Sequence, residues 1–405
     1  MLRQLFPRGY PLYEQSRFAQ DLEDFDSWLE AMGYGRGCIR GHLFRLKRSL
    51  ERIARAKPGS AYTVAQLDRG FGADCTARKR TALYRATQRA YQRFLLSQGR
   101  LTSPAVDEPF TQLCREYRQH LIELRGLASE TVQHHDRTVT DFLHRALPSG
   151  QDLGSLTHAH VERYLALASK GISRQRLQHI VAHLRAFLHY CYDRNRIRLP
   201  LHVIDTPRAY HDELPPRALD WSLVQALLRS IDRSSKSGWR DYALLHLLAH
   251  YGLRPCEVVC LRVDSIDWAM RTLKAEQCKT RSTLVLPLAE QTVSVLRRYL
   301  AQGRSRSSHP ELFLRARCPA GPLTRYAVTD VFDKRAEQSG LPIDGYSAYS
   351  LRHAFAMRLL TRGVGVKVIG DLLGHRSLAS TCLYLRLDTN MLRDVALPVP
   401  RPVQG

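Results

Sequence analysis

Apolar residues recur every three or four positions along most of the first 205 residues, which is the spacing of amphipathic helices. The pattern is clearest over Phe18 to Met32, Cys38 to Ala54 and Lys79 to Ser97. We therefore predict that this part of the chain is all-α.

The last 190 or so residues mix two kinds of pattern. A helix is predicted over Asp241 to His250, ended by Gly252, with Pro255 in the first turn of the next helix. Arg271 to Leu288 has the alternation and polar tip of a β-hairpin. Further helices are predicted at Arg325 to Ser339, Tyr349 to Arg362, Val366 to Leu373 and Leu378 to Arg386.

Two breaks divide the chain, at Gly99 to Pro104 and in the proline-rich stretch from Thr206 to Pro216. We predict helical domains at residues 1–103 and 104–205, a linker at 206–216, an α+β domain at 217–397 and a proline-rich tail at 398–405.

The two helical domains resemble each other, which indicates an internal duplication. Gly33 to Leu50 aligns with Gly126 to Leu143, which pairs His42 with His135. Arg80 to Leu101 aligns with Arg176 to Ile197. Two Arg-rich amphipathic helices can also look alike without common descent.

Charge identifies the class of partner. The 405 residues carry a formal net charge of +23, and 52 of the 61 basic residues are arginine, whose planar fork binds phosphate. The aligned stretches Thr76 to Arg100 and Ile172 to Tyr192 hold basic residues and no acidic ones, so we predict helices that contact DNA rather than merely solvated faces. The predicted DNA-binding residues are Arg78, Arg85, Arg89, Arg93, Arg174, Arg176 and Arg185.

Other classes are disfavoured. The longest apolar runs, such as Tyr242 to Leu248, are far shorter than the roughly 18 residues of a membrane span, and the N-terminus lacks a signal-peptide core, so a cytoplasmic protein is expected. The nine cysteines form no zinc-binding pattern, and Cys256 and Cys260 are interpreted as small buried thiols. We expect no metal and no cofactor.

A tyrosine beside phosphate-binding cations can break a phosphodiester without a metal. Arginines neutralise the charge that develops on phosphorus, a lysine protonates the leaving 5′ oxygen, and the tyrosine becomes covalently attached. Carboxylate clusters for two metals, a Gly-rich phosphate loop and a serine elbow are all missing from the sequence.

Four motifs in the last domain together resemble the tyrosine recombinase (phage integrase) family. They are YGLRPCE around Arg254, Lys279 on the hairpin, SLRHAFA around Arg352, and LLGH at His375 followed nine residues later by Tyr384. The resemblance implies that Arg254 and Arg352 clamp the phosphate, with Glu257 behind Arg254. It also implies that Lys279 is the mobile lysine and Tyr384 the nucleophile.

The same resemblance implies a fold and partners. Residues 104–205 are similar to the helical, SAM-like core-binding domain. Residues 1–103 are extra to the family's two-domain plan, and if the duplication is real they are a second DNA-binding domain of that type. The implied partners are double-stranded DNA, further copies of the chain in a homotetramer on DNA, and accessory or sister recombinases. The implied role is recombination of a mobile element. Apolar residues after the nucleophile are spaced for a helix that packs on a neighbouring subunit or on its own domain: Leu385, Leu387, Met391, Leu392 and Val395.

The chain departs from the family pattern at two positions. Tyr349 stands three residues before Arg352, where the family usually has histidine, so His375 is the better candidate for handling the Tyr384 proton. Cys256 stands where serine is frequent. Because of Tyr349, one alternative function is a DNA-binding regulator that does not catalyse cleavage. A type IB topoisomerase is a second alternative, and an RNA-binding module finds no motif in support.

Overall fold

The computed structural model describes residues 2–7, 9–53, 57–72, 78–102, 110–147, 152–205, 218–278, 282–316, 321–375 and 377–387. Two compact units are present, one made of residues 1–50 and 214–405 and the other of residues 51–213. The predicted linker, the predicted tail, and Met391, Leu392 and Val395 lie outside the described residues. No helix in the described ranges is long and apolar enough to cross a membrane.

Helices make up the N-terminal part of the first unit, as the apolar spacing predicts. The apolar stripe of each long helix is fully buried, with Leu22, Phe25 and Leu29 on one and Ile39, Leu43 and Leu46 on the next. The four helices are α1 (Leu2–Leu5), α2 (Tyr10–Glu14), α3 (Ala19–Ala31) and α4 (Arg36–Arg52).

In its described residues, the unit at 51–213 adds six α-helices and one short strand pair. Strand β1 (Tyr62–Thr63) pairs in parallel with β2 (Leu101–Thr102), so the all-α prediction is wrong for these four residues. A two-residue bridge has no periodic signal; it is fixed by tertiary contacts, such as the Arg100 guanidinium donating to the Ser60 carbonyl at 3.2 Å. The helices are α5 (Val64–Gly72), α6 (Arg78–Ser97), α7 (Thr111–Glu123), α8 (Ser129–Ala146), α9 (His158–Ala168) and α10 (Arg174–Asp193).

Helices α7 to α10 enclose an apolar core with a polar pair inside it. Phe142, Leu184 and Phe187 are fully buried there. The Tyr117 hydroxyl is hydrogen-bonded to His135 Nδ1 at 2.9 Å, which satisfies two groups that would be costly to bury unpaired.

The rest of the first unit has eight α-helices and a small antiparallel sheet in the part that the structure describes. The predicted hairpin is confirmed as β4 (Thr272–Glu276) and β5 (Thr283–Pro287), and a short strand β3 (Ile266–Asp267) extends it in the order β3-β4-β5. The helices are α11 (Trp221–Ser230), α12 (Lys236–Tyr251), α13 (Pro255–Cys260), α14 (Glu290–Arg298), α15 (Arg325–Ser339), α16 (Ala348–Leu360), α17 (Val366–Leu373) and α18 (Ala379–Cys382).

Helix α12 lies at the centre of this part and is buried on nearly all sides. Asp241 within it is fully buried and accepts hydrogen bonds from Arg335 of α15 at 2.6 and 2.9 Å, which joins the two helices. The helix ends at Gly252, whose φ of +61° is a conformation that glycine adopts without strain.

The predicted helix from Leu378 to Arg386 is wrong as a single element. Helix α18 stops at Cys382, and a 3₁₀ turn over Leu383–Leu387 follows it. This turn carries Tyr384 into a small apolar cluster with Ala356, Leu360, Ile369 and Leu373.

Candidate active site

Arg254 lies at the start of α13, where Pro255 fixes the first turn of the helix. Its backbone N–H donates to Glu257 Oε2 at 2.7 Å, and its guanidinium donates to Glu257 Oε1 at 2.5 Å. A second guanidinium nitrogen lies 3.4 Å from the Gly374 carbonyl oxygen. The side chain is therefore held in one orientation, with only 8% of its surface exposed.

Arg352 reaches the same place from α16. Its guanidinium donates to the carbonyls of Gly252 and Leu373, both at 2.6 Å, and lies 3.9 Å from Glu257. These contacts fix the arginine between the ends of α12 and α17.

The charges of this cluster are those expected of an anion site. Glu257 is 1% exposed and contacts both arginines, so the net charge of the three groups is positive. Burial and the neighbouring Arg254 lower the pKa of Arg352 to about 10, which leaves it protonated at neutral pH. The cluster therefore presents two fixed, buried positive groups, a charge that suits an anion.

Tyr384 is 4% exposed beside this cluster. Burial raises the pKa of its hydroxyl, whereas Arg352 and Arg254 lower it. The phenol is protonated at neutral pH and needs an acceptor for its proton before it can act as a nucleophile.

His375 follows the left-handed Gly374, whose φ is +62°. Its Nδ1 is hydrogen-bonded to Thr381 Oγ1 at 2.8 Å, and its ring stacks on Tyr384 with centroids 6.5 Å apart. Burial, Arg352 and Arg254 lower its pKa to about 4, so the imidazole is neutral.

Gly374 also touches the hairpin. A Cβ at this position would overlap the side-chain amide of Gln277, which is 5% exposed. The stem of the hairpin is therefore packed against the turn that carries His375.

The structure places a histidine that the sequence analysis missed against Tyr384, the predicted nucleophile. His353 Nδ1 and the Tyr384 hydroxyl are hydrogen-bonded at 3.0 Å, whereas His375 is bonded to Thr381. The residue stands next to Arg352 in the sequence, and only the packing of the 3₁₀ turn shows that it faces Tyr384.

The remaining predicted site residues, Tyr349, Cys256 and Lys279, are not all buried in the arginine cluster. Tyr349 is 44% exposed, and burial raises its pKa further from neutral while Arg254 and Arg352 lower it. Cys260 is exposed, so the interpretation as a buried thiol is wrong for it, and Cys256 is half-buried with a hydrogen bond from Cys278. Lys279 lies outside the described residues.

The predicted DNA-binding arginines lie on α6 and α10. Arg85, Arg89, Arg174 and Arg176 are exposed and Arg93 is half-exposed, whereas the Arg185 guanidinium donates to the Ile204 carbonyl. The side chain of Arg78 lies outside the described part of the chain.

Comparison with protein-family models gives two matches. The model of the phage integrase family matches residues 217–391, and the model of the phage integrase N-terminal SAM-like domain matches residues 114–195. The matched ranges contain the arginine cluster and helices α8 to α10.

Similar proteins extend over more of the chain. Integrase/recombinase y4rA of Sinorhizobium fredii is 29% identical over 405 residues, covering 99% of this chain and 93% of that protein. Tyrosine recombinase XerD of Corynebacterium glutamicum is 30% identical over 296 residues, covering 70% of this chain and 96% of that protein.

A solved structure shares the fold. The XerH site-specific recombinase, bound to a palindromic difH substrate in a post-cleavage complex, has a TM-score of 0.56. It is 15% identical and covers 88% of this chain and 94% of that chain.

Proposed function

Because the chain belongs to the phage integrase family of tyrosine recombinases, which break and rejoin DNA strands, we propose that Tyr384 cleaves duplex DNA at a specific site. The covalent product is a 3′-phosphotyrosyl bond. The reaction serves the integration, excision or transposition of a mobile element.

The observation that carries this proposal is the pair of buried guanidinium groups on Arg254 and Arg352, held around Glu257. Each arginine has five N–H donors, and the contacts to carbonyls and carboxylate use only part of them. The free donors suit two oxygens of one phosphodiester. Fixed donors of this kind stabilise the charge of the transition state without reorganising.

The chemistry needs no outside energy source. The Tyr384 oxygen forms a bond to phosphorus, the bond from phosphorus to the 5′ oxygen breaks, and Lys279 supplies the proton that this oxygen takes up. The phosphodiester energy is kept in the phosphotyrosine, so a 5′ hydroxyl can reverse the step.

Double-stranded DNA is the proposed partner. The charge of +23 and the exposed arginines of α6 and α10 support it, as does the similar fold of the Tn1549 transposon integrase, which was solved in complex with a circular intermediate DNA. Strand exchange between two duplexes requires four protomers on DNA in the family scheme, so a homotetramer is proposed, acting alone or with sister recombinases.

A covalent-trapping experiment tests the proposal. A duplex is selected from a randomised pool by its binding to the protein, nicked beside each phosphate in turn, and incubated with wild-type protein. We expect a protein–DNA adduct on a denaturing gel. Tyr384→Phe should abolish it, and Tyr346→Phe, which changes a tyrosine before α16, should keep it. A tightly bound duplex that never yields an adduct would contradict the proposal.

Tyr349 favours a second candidate, a DNA-binding regulator that does not cleave. A phenol with a raised pKa cannot exchange protons near neutral pH as an imidazole does. If wild type binds DNA without forming an adduct and Tyr349→His then forms one, the regulator is the better description.

A further inference from the structure

Among the imidazoles around Tyr384, His353 is aimed at the hydroxyl oxygen that would react. Helix α16 directs successive residues about 100° apart, so Arg352 faces the two carbonyls while His353 faces the 3₁₀ turn. The ring of His353 lies 5.7 Å from that of Tyr384, tilted by 55°. This geometry suits a hydrogen bond in the plane of the imidazole.

His375 is placed differently. Its ring is nearly parallel to that of Tyr384, at 11°, and the nitrogens of a ring bond within its plane. Its Nδ1 is already paired with Thr381. Among the hydrogen bonds of the described residues, the one at the Tyr384 hydroxyl is made to His353 Nδ1, so His353 is the acceptor at the reacting atom.

We propose that His353 is a catalytic residue, the general base that takes the proton of Tyr384 during cleavage and returns it during religation. The proposal rests on the proposed function above. As the Tyr384 oxygen bonds to phosphorus, its proton moves to His353 Nδ1, and the departing 5′ oxygen is protonated separately. Religation reverses both transfers, so no co-reactant is needed.

The surroundings keep His353 in the form that a base requires. Burial and the adjacent Arg352 lower its pKa, so the imidazole is neutral at pH 7 and can accept. Within the described part of the chain, Tyr384 and His375 are the other titratable groups that face it. Cleavage should therefore lose rate as pH falls through the lowered pKa of His353, below the ordinary value of about 6.5.

The test measures single-turnover adduct formation between about pH 4.5 and about pH 9, on the nicked duplex selected as above. His353→Asn keeps an oxygen acceptor near the place of Nδ1 but cannot hold a proton. We expect the rate to fall by about 10²- to 10⁴-fold and the acid limb to disappear. Because His375 also titrates below neutral pH, His375→Gln is the matched control, and it should keep the acid limb even where its rate is lower.

Two further arms separate the base from other roles. Imidazole added to His353→Ala should restore part of the rate, which a purely structural loss would not allow. A 5′-bridging sulfur leaves as a thiolate without a proton, so it should rescue Lys279→Ala and leave His353→Asn slow. Circular dichroism melting checks that each variant is folded.

The outcomes are distinct. Wild type that forms no adduct with its bound duplex overturns the proposed function and this role with it. Wild type that forms the adduct while His353→Asn matches it at every pH overturns only the role of His353. Faster cleavage by His353→Phe would show instead that the hydrogen bond restrains Tyr384, and would also overturn the proposal.

Discussion

Helices α6 and α10, from the two regions that the sequence analysis aligns as repeats, end in the same way but carry different side chains. Helices α6 and α10 both have 20 residues, and each is followed by a left-handed residue, Gly99 with φ +64° and Asn195 with φ +54°. The next residue closes both turns in the same way. The backbone N–H of Arg100 donates to the Leu95 carbonyl oxygen, and that of Arg196 donates to the Cys191 carbonyl oxygen, each at 2.8 Å. This agreement supports the predicted duplication.

The side chains differ. In the first repeat, Arg85, Arg89 and Arg93 follow one another along a face of α6. In the second, Arg185 is bonded to the Ile204 carbonyl and His183 is bonded to Thr138 at 3.0 Å, so only the first turn of α10 keeps exposed arginines. The two helices therefore share the geometry of their C-terminal turns but differ in where their exposed arginines lie.

The largest expected effect concerns DNA affinity. Replacing Arg85, Arg89 and Arg93 by glutamine should weaken binding more than replacing Arg174 and Arg176, because each phosphate contact releases counterions. The slope of log affinity against log salt should fall by about 2.7 in the first case and about 1.8 in the second.

Fluorescence anisotropy at several salt concentrations measures both slopes. Arg118→Gln is the control, because Arg118 is already paired with Asp136 at 2.8 Å. If the α6 variant has the wild-type slope, Arg85, Arg89 and Arg93 do not bind the DNA backbone, and α6 and α10 do not differ in the predicted way.

A smaller effect is expected inside the second repeat. His135→Leu should lower the free energy of unfolding by about 1–3 kcal/mol, because it leaves the buried Tyr117 hydroxyl unpaired. Urea unfolding of wild type, His135→Leu, Tyr117→Phe and the double variant measures the coupling between the two groups. His42 stands at the aligned position of the first repeat. If His42→Leu lowers the free energy of unfolding equally, the interiors of the two repeats are also similar.

Acid should weaken the second repeat further. Burial lowers the pKa values of His135 and His183 to about 4, below the ordinary 6.5 of the unfolded chain. Protons therefore bind the unfolded state first, and stability present above about pH 6.5 is lost as pH falls toward 4. Hydrogen-exchange protection of α8 and α10 should drop between pH 7.5 and 5.5, and a smaller drop in His183→Gln would support this cause.

The smallest effects concern the turns. Gly99→Ala should cost about 1 kcal/mol, because a Cβ is strained at positive φ although nothing crowds it there. Asn195→Gly should change stability by less than about 0.5 kcal/mol. Gly37→Ala, inside α4 and equally uncrowded, should instead stabilise. Thermal melts rank the stabilities of the three variants. If Gly99→Ala leaves the melting temperature unchanged, the turns at Gly99 and Asn195 do not share the same conformational constraint.

The sequence predicts the long elements well because their signals are local. Helix α15 and helix α17 have the predicted bounds, and the hairpin pairs in the predicted region. The two-residue strands and the 3₁₀ turn at Tyr384 are missed because tertiary contacts set them. The family motifs predict Arg254 and Arg352 as partners, and the structure brings both to Glu257, yet the contact of His353 depends on packing that no spacing encodes.

The turn at Gly374 has a consequence for how variation in this enzyme is interpreted. Its φ of +62° strains any residue that has a Cβ, and a Cβ would also overlap the Gln277 amide that fills the space beside it. A mutational scan scored by recombination should therefore penalise this position as well as Arg352, although glycine reaches no phosphate. Intolerance at position 374 measures clearance between two segments of chain, and only Arg352 would be intolerant because of its chemistry.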